Sequence, residues 1–282
     1  MRSTGDRERN LRAAELHARR AADAGAALIA FPENVAYLRP EGVERPPAED
    51  LDGRTAERFR EMAVRHRAWV LAGTIPERIP RSRRVYNTSV LFRADGSVAA
   101  VYRKVHLFDV AIPGHARHHE SRFVAPGEGA VVASSPWGTL GLSVCYDLRF
   151  PETYRALAFA GAEILFVPSA FTAYTGRAHW TVLLRARAIE SQAWVVAPAQ
   201  WGLHHGTRRS YGHTSIVDPW GEVVACRERG TGIVVATIDP GHARRVRREL
   251  PSLALARARY GDRLAKPSRA GAKPGSSTRA SR

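Results

Sequence analysis

Four residues of this chain have the right types and settings for acyl-transfer chemistry. Cys145 closely follows an apolar run at residues 140–144 and precedes Pro151 and Glu152, a pair that reads as the opening of a helix. A thiol there can be a small buried hydrophobe. It can also be a nucleophile, because open α/β sheets present reactive side chains at strand C-termini and a following helix start offers unpaired N–H groups. A nucleophilic thiol needs a base and something to hold the developing oxyanion. Candidates are Glu33 in "LIAFPENVAYL", Lys104 at the end of "AAVYRK" and Glu120 in "HARHHESRF". Taken singly, each reads equally well as a helix-start residue, an edge charge or a surface charge. Glu33, Lys104 and Cys145 share one property: each falls at the C-terminal end of an apolar strand, so the three can converge on one crevice.

The elements that must position them follow from hydrophobic periodicity. Helices are expected over residues 7–25 and 56–66, around a buried strand at 27–31. "WVLAGTIPE" reads as a strand, and "VYNTSVLFRADGSVAAVYRKVHL" as a hairpin turning at Asp95 and Gly96. "GTLGLSVCYD" is a strand leading to a helix over 152–160, and "AEILFVPSAF" is another buried strand. "AHWTVLLRARAIESQ" is helical, with Trp180, Leu183, Leu184 and Ile189 on one face. "AWVVAPAQ" is a strand, "HTSIVDPWGEVVACRE" a hairpin, and "GIVVATID" a last strand. Strands alternating with helices, mixed with hairpins, argue for sheets with outer helices. No linker or internal repeat divides the chain, so a single domain is expected over residues 1–262, followed by a basic tail at 263–282.

The chain has 282 residues, 44% hydrophobic and 25% charged, as soluble globular proteins do. Two cysteines give no disulfide framework and fit a reducing cytoplasm. No early apolar run has the length of a signal peptide or a membrane span. The net charge of +16 raises the question of nucleic acid. Much of that charge is terminal: residues 241–282 hold twelve Lys or Arg against two acidic residues. The closing "KPSRAGAKPGSSTRASR" has the composition of a disordered segment, so sequence-specific nucleic-acid binding is not expected. Zinc-ligand spacing, P-loop and dinucleotide fingerprints are absent from the sequence, and neither a metal nor an organic cofactor is expected.

The segments "FPENVAYL", "YRKVHLFDVAIPG", "GLSVCYDLRFPE", "AEILFVPSAFTAYTGRAHWTVLLRARAIESQAWVVAPAQWGLHH" and "RRSYGHTSIVDPWGEVVA" together resemble the nitrilase superfamily of carbon–nitrogen hydrolases, its Nit branch in particular. They run in the family's order from about residue 10 to 240. The resemblance implies a four-layer α-β-β-α sandwich, dimerised through a helical layer into a homodimer or higher homo-oligomer. It also implies Cys145 as nucleophile, Glu33 as general base, Lys104 as oxyanion-stabilising cation and Glu120 as a positioning glutamate. The backbone N–H of Tyr146 is the expected second oxyanion donor. Phe171 and Thr172, after the next strand, are candidate pocket walls. His179 and Trp180 are expected to pack, residues 210–213 to support the dimer or the pocket rim, and Cys226 to be structural. Asp147 and Arg149 are expected to form an ion pair beneath the cysteine loop.

Two departures stand out. The family begins with a strand some ten residues before its first helix, whereas Met1 here almost abuts that helix, so either the native start lies upstream of Met1 or one sheet is expected to lack part of its edge pairing. The Leu-Pro of "ELPSLALARARYGDRLA" lacks the family's following aromatic, so C-terminal dimer contacts are expected to differ. The implied activity is hydrolysis of a small carboxylate-bearing amide to carboxylate and ammonia through a thioester. The region from 200 to 221 looks most like the deaminated glutathione amidases, with an ω-amidase acting on 2-oxoglutaramate-type substrates as the near alternative. A catalytically idle scaffold, or a nucleic-acid binder using the tail, is the alternative of a different class.

Overall fold

The computed structural model describes residues 1–40, 43, 46–114 and 117–261. Two short apolar strands, β1 (Leu28–Ala30) and β2 (Trp69–Leu71), run parallel with Ile29 opposite Val70. A parallel pair needs a crossover, and α2 (Arg54–His66) supplies it. Helix α1 (Arg7–Asp23) precedes them, capped by the Asp6 side chain, which accepts from the Arg9 N–H. β3 (Ile75–Arg78), β4 (Val85–Phe92) and β5 (Val98–Arg103) continue the sheet. The eight residues of β4 are long enough to pair β2 and β3 along one edge, and β5 and β8 (Val124–Ala125) along the other. A small ribbon, β6 (Asp109–Val110) with β7 (His118–His119), leads to a 3-10 turn at Glu120–Arg122.

The second sheet has the order β16-β15-β12-β11-β10-β9. Its strands are β9 (Val131–Ser135), β10 (Gly138–Leu142), β11 (Ile164–Phe166), β12 (Trp194–Ala197), β15 (Thr214–Val217) and β16 (Val223–Arg227). Its centre, β10-β11-β12, is parallel, joined by α3 (Pro151–Phe159) and α4 (Ala173–Ser191). A separate hairpin, β13 (Trp201–His205) with β14 (Arg208–Tyr211), projects between β12 and β15 in the chain. Helices α5 (Pro240–Glu249) and α6 (Ser252–Tyr260) follow.

Alternation along β4 shows how the layers form. Val90 and Phe92 join Leu11, Ala14, Phe59 and Met62 from α1 and α2 in one buried cluster. Leu91 between them points the other way, into the cluster that holds Leu71, Tyr102, Leu140, Leu142 and Phe166. The two sheets therefore face each other. Tyr154 and Leu157 of α3 and Trp180 and Leu184 of α4 extend the same cluster to the far helical layer. Each fully buried side chain of this size contributes about 1.5–3 kcal/mol. The result is the expected α-β-β-α sandwich.

Three local expectations change. Residues 232–238 alternate as a strand would, with Val234, Ala236 and Ile238 packed on the core and Val235 exposed. They are not a strand, because among the described residues no neighbour offers them a hydrogen-bond ladder. A cavity of about 370 Å³ separates them from β1, which pairs only with β2. On α4, Ile189 is exposed, and the buried place is taken by Arg187, whose guanidinium donates to the Leu148 carbonyl at 2.7 and 2.9 Å. Cys226 lies in β16 as expected, but exposed rather than packed. The tail at 263–282 lies outside the described residues.

Candidate active site

Glu33 sits three residues beyond β1, in a tight turn where Asn34 takes φ +57°. The turn packs against Gly73, which has φ +56° and whose Cβ, were there one, would lie 2.0 Å from the Pro32 carbonyl oxygen. Only glycine permits that approach. The main chain of Glu33 is held from a third element: Gln200, fully buried, donates to its carbonyl at 3.0 Å.

Lys104 follows β5 directly, and Cys145 follows β10 by three residues, so both reach the crevice from strand ends. The Lys104 Nζ lies 3.0 Å from Glu33 Oε1 and 2.8 Å from Glu120 Oε2. Glu120, at the start of its 3-10 turn, also accepts the Phe108 N–H at 2.7 Å. Glu33 Oε2 accepts the Ala170 N–H at 2.9 Å, and the Cys145 thiol adjoins the same carboxylate. Glu33 and Lys104 are almost fully buried.

The electrostatics follow from burial opposed by pairing. Burial pushes the Glu33 carboxyl up, but the Lys104 charge, the thiol and the Ala170 N–H together hold it below the usual carboxylate value. Burial pushes the Cys145 thiol well up, and the Glu33 charge adds to this, against the opposing pull of Lys104. For Lys104, burial favours the neutral amine, but Glu120, Glu33 and Cys145 more than offset it and its pKa is raised well above the ordinary value. The resting cluster is therefore thiol, carboxylate and ammonium. The proton therefore rests on sulfur, with the Glu33 carboxylate as the adjacent acceptor when the sulfur attacks.

Cys145 occupies the left-handed region with φ +49°, uncommon for a residue with a Cβ. Its N–H donates to Pro168 O at 3.0 Å, which fixes the elbow on the loop after β11. Tyr146 comes next, at the start of a 3-10 segment over Cys145–Arg149.

These side chains line a cavity of about 550 Å³. Phe171 and Thr172 form part of its wall, with Phe171 packed on Trp180 at 5.1 Å between ring centroids. Ser210 also lines it, its Oγ 2.9 Å from His204 Nε2. Trp180 is fully buried, whereas His179 is exposed. Arg39, Arg117, Arg122, Arg208 and Arg209 line the same cavity. Among its described lining residues the only carboxylates are Glu33 and Glu120, both already on Lys104.

The expected Asp147–Arg149 ion pair does not form. Successive residues of the tight 3-10 segment point in different directions, and Asp147 turns inward to be fully buried among hydrogen-bond donors. Arg149 instead donates to His179 Nδ1 at 3.0 Å and lies over the Phe171 ring at 4.9 Å. Sequence reasoning missed Asn87, whose Nδ2 bridges Glu33 Oε1 at 3.0 Å and Glu120 Oε1 at 3.3 Å. The available signal was an amide at the head of the polar stretch Asn87, Thr88 and Ser89 inside a strand that otherwise carries hydrophobic residues.

Comparison with known proteins identifies the family and the fold. The profile of the family described as carbon-nitrogen hydrolase matches residues 1–248. Deaminated glutathione amidase of Homo sapiens is 45% identical over 254 residues, which cover 88% of this chain and 78% of that protein. The crystal structure of the C. elegans NitFhit protein superposes with a TM-score of 0.86 at 38% identity, covering 98% of this chain and 67% of that one. The amidase of Nesterenkonia sp. AN1, solved with acrylamide added to its active-site cysteine, gives a TM-score of 0.72 at 27% identity over 88% of this chain and 94% of that one. Sequence match over most of the chain and a shared sandwich lead to one conclusion: the chain belongs to the carbon-nitrogen hydrolase family.

Proposed function

We propose that this chain is a cysteine-dependent amidase acting on a small carboxylate-bearing amide of the deaminated glutathione type. The observation that carries the proposal is the cluster of buried Cys145, Glu33 and Lys104 with half-buried Glu120, at a cavity lined by five arginines. An amide carbonyl is a poor electrophile. Cys145 Sγ attacks it while the thiol proton passes to Glu33. Negative charge then appears on the carbonyl oxygen, where the Lys104 ammonium and the Tyr146 N–H are the proposed donors, each worth about 3–4 kcal/mol when well aimed. Glu33 returns the proton to the leaving nitrogen, which departs as ammonia from a primary amide or as an amine from a secondary one. Water, deprotonated by Glu33, attacks the thioester carbonyl. The C–S bond breaks, the carboxylic acid leaves, and the proton held by Glu33 goes back to sulfur. Glu120 holds Lys104 in place and charged throughout. Every step uses side chains of this cluster.

The arginines favour an anionic substrate through the summed field of the cavity. The relatives named for deaminated glutathione support that substrate, and an ω-amidase activity on 2-oxoglutaramate-type compounds uses the same groups. We further propose a homodimer in the cytoplasm. Val182 and Leu255, exposed on α4 and α6, give the outer helical layer an apolar face, and two free cysteines suit a reducing compartment.

The test is a substrate panel: deaminated glutathione, 2-oxoglutaramate and a neutral amide of matched size, with released 2-oxo acid and released amine or ammonia both measured. Turnover of the anionic amides at least about tenfold faster in kcat/KM than the neutral one is expected. No turnover of any of them would end the amidase reading. Size-exclusion chromatography with light scattering tests the dimer.

A further inference from the structure

Asp147 is absent from the chemistry above, yet it is fully buried, and among the described residues its one ion-pair partner is His106. Its carboxylate accepts four hydrogen bonds. Oδ2 takes the Tyr102 hydroxyl at 2.7 Å and the Val144 N–H at 2.8 Å. Oδ1 takes the His106 N–H at 2.9 Å and lies 2.8 Å from His106 Nδ1. The His106 ring is held in turn by stacking on Phe150 at 3.6 Å.

The placement of these donors is informative. Tyr102 and His106 stand two residues before and two residues after Lys104. Val144 and Asp147 stand one residue before and two residues after Cys145. Asp147 also donates its own N–H to the Val144 carbonyl at 3.0 Å, so it closes on Val144 through both main chain and side chain. Between those two contacts lies Cys145, in a left-handed conformation that a residue with a Cβ avoids unless its surroundings impose it.

Resting on the amidase reading, we infer that Asp147 is a positioning residue that clamps the lysine-bearing strand to the cysteine elbow. It fixes the Lys104–Cys145 geometry and holds Cys145 in its strained conformation. A carboxylate suits this task because it is acceptor-only when ionised, and all four groups facing it can donate. Asparagine has the same shape but presents an NH₂ to one pair of them. On the Oδ2 side that NH₂ meets the Val144 N–H, and on the Oδ1 side the His106 N–H; neither main-chain group can accept. The clamp then opens on either the elbow or the lysine strand.

The experiment uses the full chain, with Asp147→Asn and, as a milder cut removing one donor of four, Tyr102→Phe. Three quantities are read: kcat and KM, thermal unfolding, and the rate of iodoacetamide alkylation at Cys145 across pH. Cys226, exposed and distant in sequence, is an internal reference for alkylation. Asp147→Asn is expected to lower kcat at least about a hundredfold with KM within about threefold. The Cys145 alkylation profile should shift along the pH axis while that of Cys226 stays fixed. Tyr102→Phe should fall between Asp147→Asn and the parent. The inference is overturned if, in whichever variants fold, kcat per folded molecule and the Cys145 alkylation profile match the parent. Alkylation needs no substrate, so failure of the substrate panel and failure of the clamp are separate results.

Discussion

Glu33 and Lys104 meet at 3.0 Å with both side chains at most 4% exposed, and they arrive there from opposite ends of one sheet's connectivity, the end of β1 and the end of β5. A buried pair of this kind is costly to break, because the group left behind is an uncompensated charge, typically by 3–5 kcal/mol. Lys104→Ala is therefore expected to abolish turnover and also to lower the melting temperature, since it leaves both Glu33 and Glu120 unpaired. Calorimetry beside an activity assay checks this. An inactive variant melting with the parent would show that the ammonium serves chemistry without supporting the fold.

Glu33→Gln separates the base from the pair. The amide cannot take the thiol proton, so no acyl adduct on Cys145 should appear by intact mass spectrometry after substrate exposure. An adduct at parental yield would move the base to another residue.

Cys145→Ala is expected to abolish turnover with little change in stability, whereas Cys226→Ala, on an exposed strand position, should retain most activity. Equal loss in the two variants would contradict the assignment of the nucleophile.

The pH profile carries the sign of the Glu33 shift. Its carboxyl is held below the ordinary value of 4.5 in the folded protein, so its contribution to stability is present above the unfolded value and is lost as pH falls through the lower folded one. The acid limb of kcat/KM should accordingly lie below pH 4.5 wherever the protein stays folded. A limb near neutral pH would mean that burial outweighs Lys104 and that Glu33 rests protonated.

Gly73→Ala tests the support of the site from behind. The new methyl would meet the Pro32 carbonyl at 2.0 Å at a residue with φ +56°, so a loss of more than about 2 kcal/mol in chemical denaturation is expected. A parental midpoint would show that the turn bearing Glu33 can move aside.

The sequence alone determined most of the element types, the sandwich through its resemblance, and Glu33, Lys104, Glu120 and Cys145 as the candidate site residues. The strand-end positions of Glu33, Lys104 and Cys145 were legible because strand periodicity is a local property, whereas Glu120, in a loop, stood out only through the resemblance. The tertiary structure decided which groups share a hydrogen bond, and that depends on chain segments far apart in sequence. Asn87 reaches two carboxylates only because β4 runs between the turns that carry them. Asp147 turned from its sequence neighbour Arg149 to Tyr102 and His106, since a fully buried carboxylate needs donors on both oxygens, which these groups and the Val144 N–H supply. Residues 232–238 have a strand's alternation yet form none, because periodicity records which side is buried, while a strand exists only when a neighbouring backbone completes its ladder.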